Sequence, residues 1–267
     1  MSGKIQAIIS VVCLTFCAVF TMSCGGSSKS TTTTGCTGGP YNVVGDWSIN
    51  ESGNAGSSSG VGVINSSGEA VFFQTSEPTP GDVLALPAIT GTCSFSGTAT
   101  AYGTPASGGG SASGTVQGTV SSDASISGTF SNGNTFSLGS ISPLSGSVTA
   151  FSGNNYIGEI EGWTGDNIWL LTFAPTGSNA SMNFSGSNTL CDINGTFTQE
   201  GGNASTLNVF DVSITYTTGI GCPVSGSGIG FESSSDYFNI NGGAQGTYLY
   251  AAPSNNAFVL EIFKQTP

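Results

Sequence analysis

The feature that most constrains the fold is a short sequence pattern that occurs twice, each time after a cysteine. Residues 191–198 read CDINGTFT and residues 93–100 read CSFSGTAT, so the second copy begins 98 residues after the first (191 − 93). In an extended strand alternate side chains share a face. This places Cys191, Ile193 and Phe197 on one face and the threonines on the other. Each copy is therefore predicted to be a strand with its cysteine on the core side.

A second pair of similar segments has nearly the same spacing. Residues 165–170 (GDNIWL) resemble residues 68–73 (GEAVFF), which lie 97 residues earlier (165 − 68). Two landmarks at nearly one offset indicate an internal duplication. We therefore predict an all-β chain of two tandem antiparallel β-barrel or sandwich units. The alternative is one continuous β-sandwich without a domain boundary.

The composition supports a folded β protein rather than a disordered chain. Only 7% of the residues are charged, whereas 37% are hydrophobic and 10% are aromatic. A disordered chain would be rich in charge and poor in aromatic residues. The 42 glycines, together with serine, threonine and asparagine, favour tight turns and exposed strands.

The charges exclude several classes of function. The chain has no histidine, its three basic residues are Lys4, Lys29 and Lys264, and its formal net charge is −12. Nucleic-acid binding needs cations against phosphate, so we predict no nucleic-acid partner. Phosphate recognition by an arginine fork, catalysis by histidine and metal binding by histidine are excluded for lack of those side chains.

The N-terminal segment predicts export and lipid attachment. Residues 1–23 have Lys4 followed by a long apolar run, which is typical of a signal peptide. The run ends in small residues before Cys24, which is predicted to be lipid-modified after signal removal. The alternative is ordinary cleavage near Ser23 and a soluble secreted protein. Residues 24–40, rich in Gly, Ser and Thr, are predicted to be a flexible tether.

Period-2 patterns bounded by turn residues give the units and their strands. The predicted first unit covers residues 41–142 and the second covers residues 143–267, with Pro143 at the junction. A shift of parity in residues 207–216 predicts a β-bulge at Val209–Phe210. The predicted strands are residues 43–49, 60–64, 69–75, 83–89, 116–120, 125–130, 136–138, 180–184, 207–216, 224–231 and 257–263, the last apolar on both faces.

The cysteines predict disulfide bonds. Of seven cysteines, Cys13 and Cys17 lie in the signal peptide and Cys24 is the lipidation site, so four remain. In an exported chain four cysteines imply two disulfides, with three pairings open. We favour one bond in each unit, with a metal site as a rival that lacks histidine and Cys-x-x-Cys spacing. The favoured pairs are Cys36–Cys93 and Cys191–Cys222.

Taken together, these motifs resemble uncharacterised outer-membrane lipoproteins of Gram-negative bacteria. The resemblance rests on the lipobox-like start, the Ser/Thr/Gly tether, residues 45–47 (GDW), the paired cysteine strands, residues 125–129 (SISGT) and the restart at residues 144–146 (LSG). It implies small lipocalin- or avidin-like β-barrels and an outer-membrane location facing the periplasm or the surface. The resemblance carries no site residues.

Carboxylates are the catalytic groups that the chain offers. Glu159 and Glu161 would share a strand face, and Asp166 follows, as a glycosidase could use. We favour the interpretation that they are solvated surface charges, and predict no catalytic, metal or cofactor-binding residue. Three tryptophans are candidates for stacking on a ligand ring. They are Trp47, Trp163 and Trp169.

The sequence therefore favours a non-enzymatic lipoprotein of the cell envelope that binds a ligand or partner or has a structural role. Expected partners are the membrane, through the lipid, and a neutral glycan, a small apolar ligand or another envelope protein. The alternative is a carboxylate-dependent carbohydrate-active enzyme or a glycan-binding module.

Overall fold

The structure is a computed structural model, and its regular elements are all β-strands. It describes residues 40–53, 56–76, 80–104, 108–141, 151, 153–161, 168–176, 180–202, 207–217, 222, 225–238, 246–254 and 259–264. Within these ranges there are sixteen strands and no helix. The predicted signal peptide, Cys24, residues 24–39 of the predicted tether and Pro143 lie outside the described residues.

The first eight strands form a closed antiparallel barrel. Each strand pairs with the next along the chain, and the eighth pairs back with the first, from Trp47 opposite Ser140 to Ser52 opposite Thr135. The strands are β1 (Gly45–Gly53), β2 (Gly56–Ile64), β3 (Ala70–Gln74), β4 (Val83–Leu86), β5 (Ser94–Tyr102), β6 (Ser111–Ser122), β7 (Ser125–Phe130) and β8 (Thr135–Ser140).

The second eight strands form another closed antiparallel barrel. Its last strand pairs back with its first, from Val259 opposite Glu161 to Lys264 opposite Tyr156. The fold class predicted from the sequence, two tandem β units, is therefore confirmed, and both units are barrels. The strands are β9 (Gly153–Glu161), β10 (Ile168–Pro175), β11 (Ser181–Ser187), β12 (Asp192–Gln199), β13 (Phe210–Thr217), β14 (Gly226–Ser233), β15 (Tyr248–Pro253) and β16 (Val259–Lys264).

Alternating side chains fill each barrel. Along β13 buried and exposed residues alternate without a break, as expected for a strand with one wet face. In the second barrel the rings of Phe173, Phe184 and Phe197 pack with centroids 5.2–6.3 Å apart. Side chains thus occupy the space that a hollow barrel would offer to a ligand.

Inward glycines make room for this aromatic packing. Phe184 on β11 lies directly opposite Gly195 on β12, and a Cβ at Gly195 would overlap the Phe184 ring. The first barrel repeats the arrangement with Phe95 opposite Gly118. A ring that covers a glycine on the neighbouring strand fixes the register of the two strands.

The duplication is present strand by strand, but the second barrel is closed differently. Strands β9, β10, β11 and β12 begin 97 or 98 residues after β2, β3, β4 and β5 (153 − 56, 168 − 70, 181 − 83, 192 − 94). The two copies of the cysteine pattern therefore lie on corresponding strands, with each cysteine directly before its strand. The first barrel is closed by β1, which lies between β8 and β2. Its place in the second barrel is taken by the C-terminal β16, between β15 and β9.

The parity shift near residue 209 has another cause than a bulge. Strand β13 begins at Phe210, and its ladder with β12 runs in register from that residue. Val209 precedes the strand and packs between the barrels, whereas Phe210 packs inside the second barrel. The prediction of a bulge at Val209–Phe210 is therefore wrong. The apolar pattern changes parity because consecutive residues pack in two different hydrophobic clusters, Val209 between the barrels and Phe210 inside the second barrel.

One of the two predicted disulfides is seen directly. Cys191 and Cys222 are bonded, with their Cα atoms 5.7 Å apart. The bond connects the start of β12 to the segment between β13 and β14. Cys93 is also disulfide-bonded, and its predicted partner, Cys36, lies outside the described residues.

A third apolar cluster, which we call the seam, lies between the barrels. Outward side chains of β2, β3 and β4 meet outward side chains of β14, β15 and β16, so these strands are apolar on both faces. In β3, Phe72 packs inside the barrel and Phe73 packs in the seam. The buried seam residues are Val61, Val63, Val71, Phe73 and Val83 of the first barrel and Val209, Ile229, Phe231, Tyr248, Tyr250, Ala252, Val259 and Phe263 of the second.

Candidate functional site

The tryptophans predicted to stack on a ligand have structural roles where the structure describes them. Trp47 is 1% exposed and Trp169 is 0% exposed. Their indole N–H groups donate to the carbonyl oxygens of Val43, at 2.9 Å, and Cys191, at 3.1 Å. Neither ring presents a face to a ligand, which corrects the prediction for these two residues. Trp163 lies outside the described residues.

A shallow hollow of about 360 Å³ lies on the outer face of the second barrel. It crosses four neighbouring strands, β10 to β13, and its side chains are mostly hydroxyls and primary amides. None of the residues that form it is ionisable. They are Thr172, Ala174, Asn183, Phe184, Ser185, Asn194, Gly195, Thr196, Ser213 and Thr215.

The strand register arranges these polar side chains in two rows. Thr172, Ser185, Asn194 and Thr215 face one another across the four strands in one row. The next row is Ala174, Asn183, Thr196 and Ser213, in which the Thr196 hydroxyl donates to Asn183 Oδ1 at 3.0 Å. Neighbouring strands are about 4.8 Å apart, so each row presents hydrogen-bonding groups at regular short intervals.

Two exposed aliphatic side chains adjoin the hollow. Leu170 is 66% exposed and Ile168 is 48% exposed, and both share the outward face of β10 with Thr172. A partner bound at this face would therefore meet hydroxyl and amide groups beside an apolar edge. That combination matches molecules that carry both hydroxyls and C–H surfaces, such as sugars.

A second candidate site lies inside the seam and is centred on Glu261. The side chain is 0% exposed. Its Oε1 contacts the Tyr250 hydroxyl, and its Oε2 is buried without a hydrogen-bond partner among the described residues. On the neighbouring strand β9, Glu159 lies directly opposite Glu261, so two acidic residues are cross-strand neighbours.

The environment of this cluster favours protonated carboxyl groups. The pKa of Glu261 is raised to about 9, chiefly by burial; the Tyr250 hydrogen bond lowers it, and the nearby charges of Asp236, Glu161 and Glu159 contribute to the increase. Burial, with the charges of Glu159 and Asp236, raises the pKa of Glu161 to about 7. An uncompensated buried carboxylate is costly, so such groups hold their protons.

A further buried carboxyl group lies at a contact between the two barrels. Asp46 of the first barrel accepts a hydrogen bond of 2.6 Å from the Asn208 side chain of the second barrel. Its Oδ1 is buried without a hydrogen-bond partner among the described residues. Burial raises the pKa of Asp46 to about 7; the Asn208 hydrogen bond lowers it, and the charge of Glu232 adds to the increase.

The acidic residues considered for catalysis are not seen together at an open surface in the described part of the chain. Glu159 and Glu161 share the outward face of β9, as the sequence predicted, and both are partly buried. Glu261, the nearest carboxyl group in register, is closed off by the seam, and Asp166 lies outside the described residues. In the described part of the chain no three acidic or cysteine side chains are grouped so that they could hold a metal ion.

Sequence reasoning missed Glu261 and Asp46, although a signal was present. Glu261 interrupts the strand VLEIF, in which all other residues are apolar. A lone acid in a strand that is apolar on both faces is buried on one face or the other, so its pKa is raised. Asp46, between Gly45 and Trp47, carries no comparable signal, since its burial depends on contact with the second barrel.

Comparisons with known proteins give no further guidance. None of the protein-family models, curated proteins or solved structures compared matches this chain. Among the residues that the structure describes, no helix has the length and apolarity needed to cross a membrane.

Proposed function

We propose that this protein is a lipid-anchored, non-enzymatic module of the cell envelope that binds a neutral glycan on the outer face of its second barrel. The observation that carries the proposal is the uncharged hollow across β10 to β13, in which hydroxyl and amide groups stand in register. Lipocalin-like barrels bind their ligand inside the barrel. Because side chains fill the interiors of both barrels here, the outer surface is the favoured place for a ligand.

The charge of the chain favours a neutral partner. All 15 acidic residues and a net charge of −12 repel polyanions. Lys264 is the single basic residue of the described part of the chain, and its ammonium lies 6.0 Å from the centre of the Tyr156 ring. A neutral glycan meets no such electrostatic barrier and can exchange hydrogen bonds with the rows of Thr, Ser and Asn side chains.

The glycan proposal predicts a loss of affinity when one amide of the hollow is removed. Replacing Asn194 with alanine is expected to weaken glycan binding roughly tenfold, because one good hydrogen bond to a hydroxyl is lost. The measurement is a screen of neutral glycans against the purified full chain, followed by titration calorimetry of any hit.

Asn50→Ala is the matched control, since Asn50 is an exposed asparagine on β1 of the first barrel. Equal losses for both variants, or no binding of any neutral glycan, would contradict the proposal. Release of reducing sugar that disappears in Glu161→Gln would support the carbohydrate-active enzyme instead.

The anchor is tested separately at Cys24. Cys24→Ser is expected to move the protein from the detergent phase to the aqueous phase, because each buried CH₂ of the acyl chains contributes about 0.8 kcal/mol to membrane binding. Cys17→Ser is the control, because Cys17 belongs to the predicted signal peptide. A Cys24→Ser protein that still fractionates with membranes would show that the lipid is not attached there.

A further inference from the structure

The Tyr250 hydroxyl group lies close to two oxygen atoms but has only one hydrogen to donate. Its hydroxyl oxygen accepts the N–H of Tyr237 at 2.9 Å and lies 2.7 Å from the carbonyl oxygen of Ser235. The same oxygen contacts Glu261 Oε1. A phenol has one hydrogen to donate, and a carbonyl oxygen can only accept. If that hydrogen goes to Ser235, the contact with Glu261 is a hydrogen bond only when the carboxyl group carries a proton of its own.

The second carboxyl group, that of Asp46, also lacks the hydrogen-bond donors that a buried carboxylate needs. The Asn208 side chain is fully used, since its amide nitrogen donates to Asp46 and to the Glu232 carbonyl oxygen, and its oxygen accepts the Glu232 N–H at 2.8 Å. Asp46 Oδ1 has no donor within the described residues. An ionised Asp46 would therefore be a buried charge with a single hydrogen bond.

Both groups lie where the barrels meet. Tyr250 packs against Phe73 of the first barrel with ring centroids 5.6 Å apart, and the bond between Asn208 and Asp46 crosses from one barrel to the other. We propose that contact between the two barrels depends on protons, with Glu261 and Asp46 neutral when the seam is closed and the seam weakened when they ionise.

The charged groups that face these carboxyls raise their pKa further, whereas the hydrogen bonds between Tyr250 and Glu261 and between Asn208 and Asp46 oppose that increase. Glu261 is surrounded by Tyr250 on β15, by Glu159 and Glu161 on β9, and by Asp236 after β14. Asp46 faces Glu232 on β14. The basic residue of β16, Lys264, lies against the ring of Tyr156. Each ionisation therefore brings a negative charge towards other acidic residues.

Stability is expected to fall as the pH rises. The pKa of Asp46 is about 7 and that of Glu261 is about 9 in the folded protein, above the ordinary carboxyl range near 4. At a pH between the ordinary carboxyl pKa and the raised pKa of either group, the folded chain holds more protons than the unfolded chain. The free energy of unfolding therefore falls as the pH increases through that interval. The contribution is complete below about pH 4 and is lost through about pH 7 for Asp46 and about pH 9 for Glu261.

The test is the unfolding temperature of the purified full chain from pH 5 to pH 9. For the wild type we expect a decrease of roughly 5–10 °C. Glu261→Gln keeps the shape of a neutral acid and its ability to donate, so it should remove most of the decrease above pH 7 and reduce the decrease below pH 7. Asp46→Asn should reduce only the decrease below pH 7.

Glu200→Gln is the matched control. Glu200 also crosses the seam, but its two oxygens already accept the N–H and the hydroxyl of Ser66, at 2.9 and 3.2 Å. This variant should shift the unfolding temperature by a similar amount at every pH. Profiles of Glu261→Gln and Asp46→Asn that run parallel to the wild type would overturn the proposal.

A second measurement needs no variant to fold. Infrared difference spectra of the wild type between pH 6 and pH 10 should show the loss of a protonated, buried carboxyl band. Hydrogen-exchange protection factors at β3 and β15, which compare the observed rate with the intrinsic rate at the same pH, should fall over the same interval, because these strands meet in the seam. If no protonated carboxyl band is lost, or if the protection factors at β3 and β15 do not change, the proposal is wrong.

Discussion

Replacing Phe73 with alanine is expected to lower the free energy of unfolding by about 3–5 kcal/mol, the usual cost of removing a large buried ring. Phe73 points out of the first barrel into the seam and is almost fully buried there. Its ring lies 5.6–6.5 Å from four rings of the second barrel, measured between centroids. These are Phe231, Tyr237, Phe238 and Tyr250.

The effect should appear first as separation of the barrels, because the inward packing of β3 rests on Ala70 and Phe72 instead. Urea unfolding measures the loss, and faster hydrogen exchange at β3 and β15 locates it. Phe130→Ala is the control, since Phe130 is partly buried in the first barrel and packs on Phe136. A loss no larger than that of the control would mean that the seam contributes little to stability.

The seam could have been predicted from strands that are apolar on both faces. In a single barrel with a wet exterior, polar and apolar residues alternate, as they do along β13. Strands β3, β15 and β16 break that rule, because their outward positions carry residues such as Phe73, Tyr250 and Val259. Only residues 257–263 were predicted to be apolar on both faces, and no second apolar surface was predicted to cover the outward face.

The duplication illustrates what local sequence can and cannot specify. The patterns at residues 93–100 and 191–198 predicted two corresponding strands, and β5 and β12 follow those cysteines. They could not indicate which strand closes each barrel. The first barrel is closed by β1 and the second by β16, and both strands pair antiparallel with their neighbours. Neither strand carries a local pattern that would mark it as the closing strand.

The candidate sites were harder to predict than the fold. Trp47 and Trp169 were given a binding role because tryptophan faces suit sugar rings, but their N–H groups find backbone acceptors inside the barrels. The hollow depends on the cross-strand register of Asn183, Asn194 and their neighbours. Each of these residues, taken alone in an alternating strand, is typical of a solvent-exposed position. Their alignment across neighbouring strands therefore cannot be predicted from the sequence.

Removing the disulfide of the second barrel is expected to lower the free energy of unfolding by about 3.5 kcal/mol. The bond between Cys191 and Cys222 spans 31 residues of the chain, and the chain-entropy model gives about this value for a loop of that length. Cys191 also positions its neighbours, since its carbonyl oxygen accepts the Trp169 N–H and its own N–H donates to Asn188. The loss should therefore be centred on β10, β12 and the segment before β14.

The double variant Cys191→Ala, Cys222→Ala is the appropriate test, because reduction would also break the bond of Cys93.

Tryptophan fluorescence can report on each barrel separately. Trp163→Phe is introduced into both the parent chain and the double cysteine variant. Adding either Trp47→Phe or Trp169→Phe then leaves one tryptophan as the reporter for one barrel. We expect the transition reported by Trp169 to move to lower denaturant concentration and that of Trp47 to move less, since Trp47 lies in the first barrel, where the bond of Cys93 is kept. Equal shifts of both reporters would mean that the seam makes the two barrels unfold as one unit, and an unchanged Trp169 transition would mean that the bond does not stabilise the second barrel.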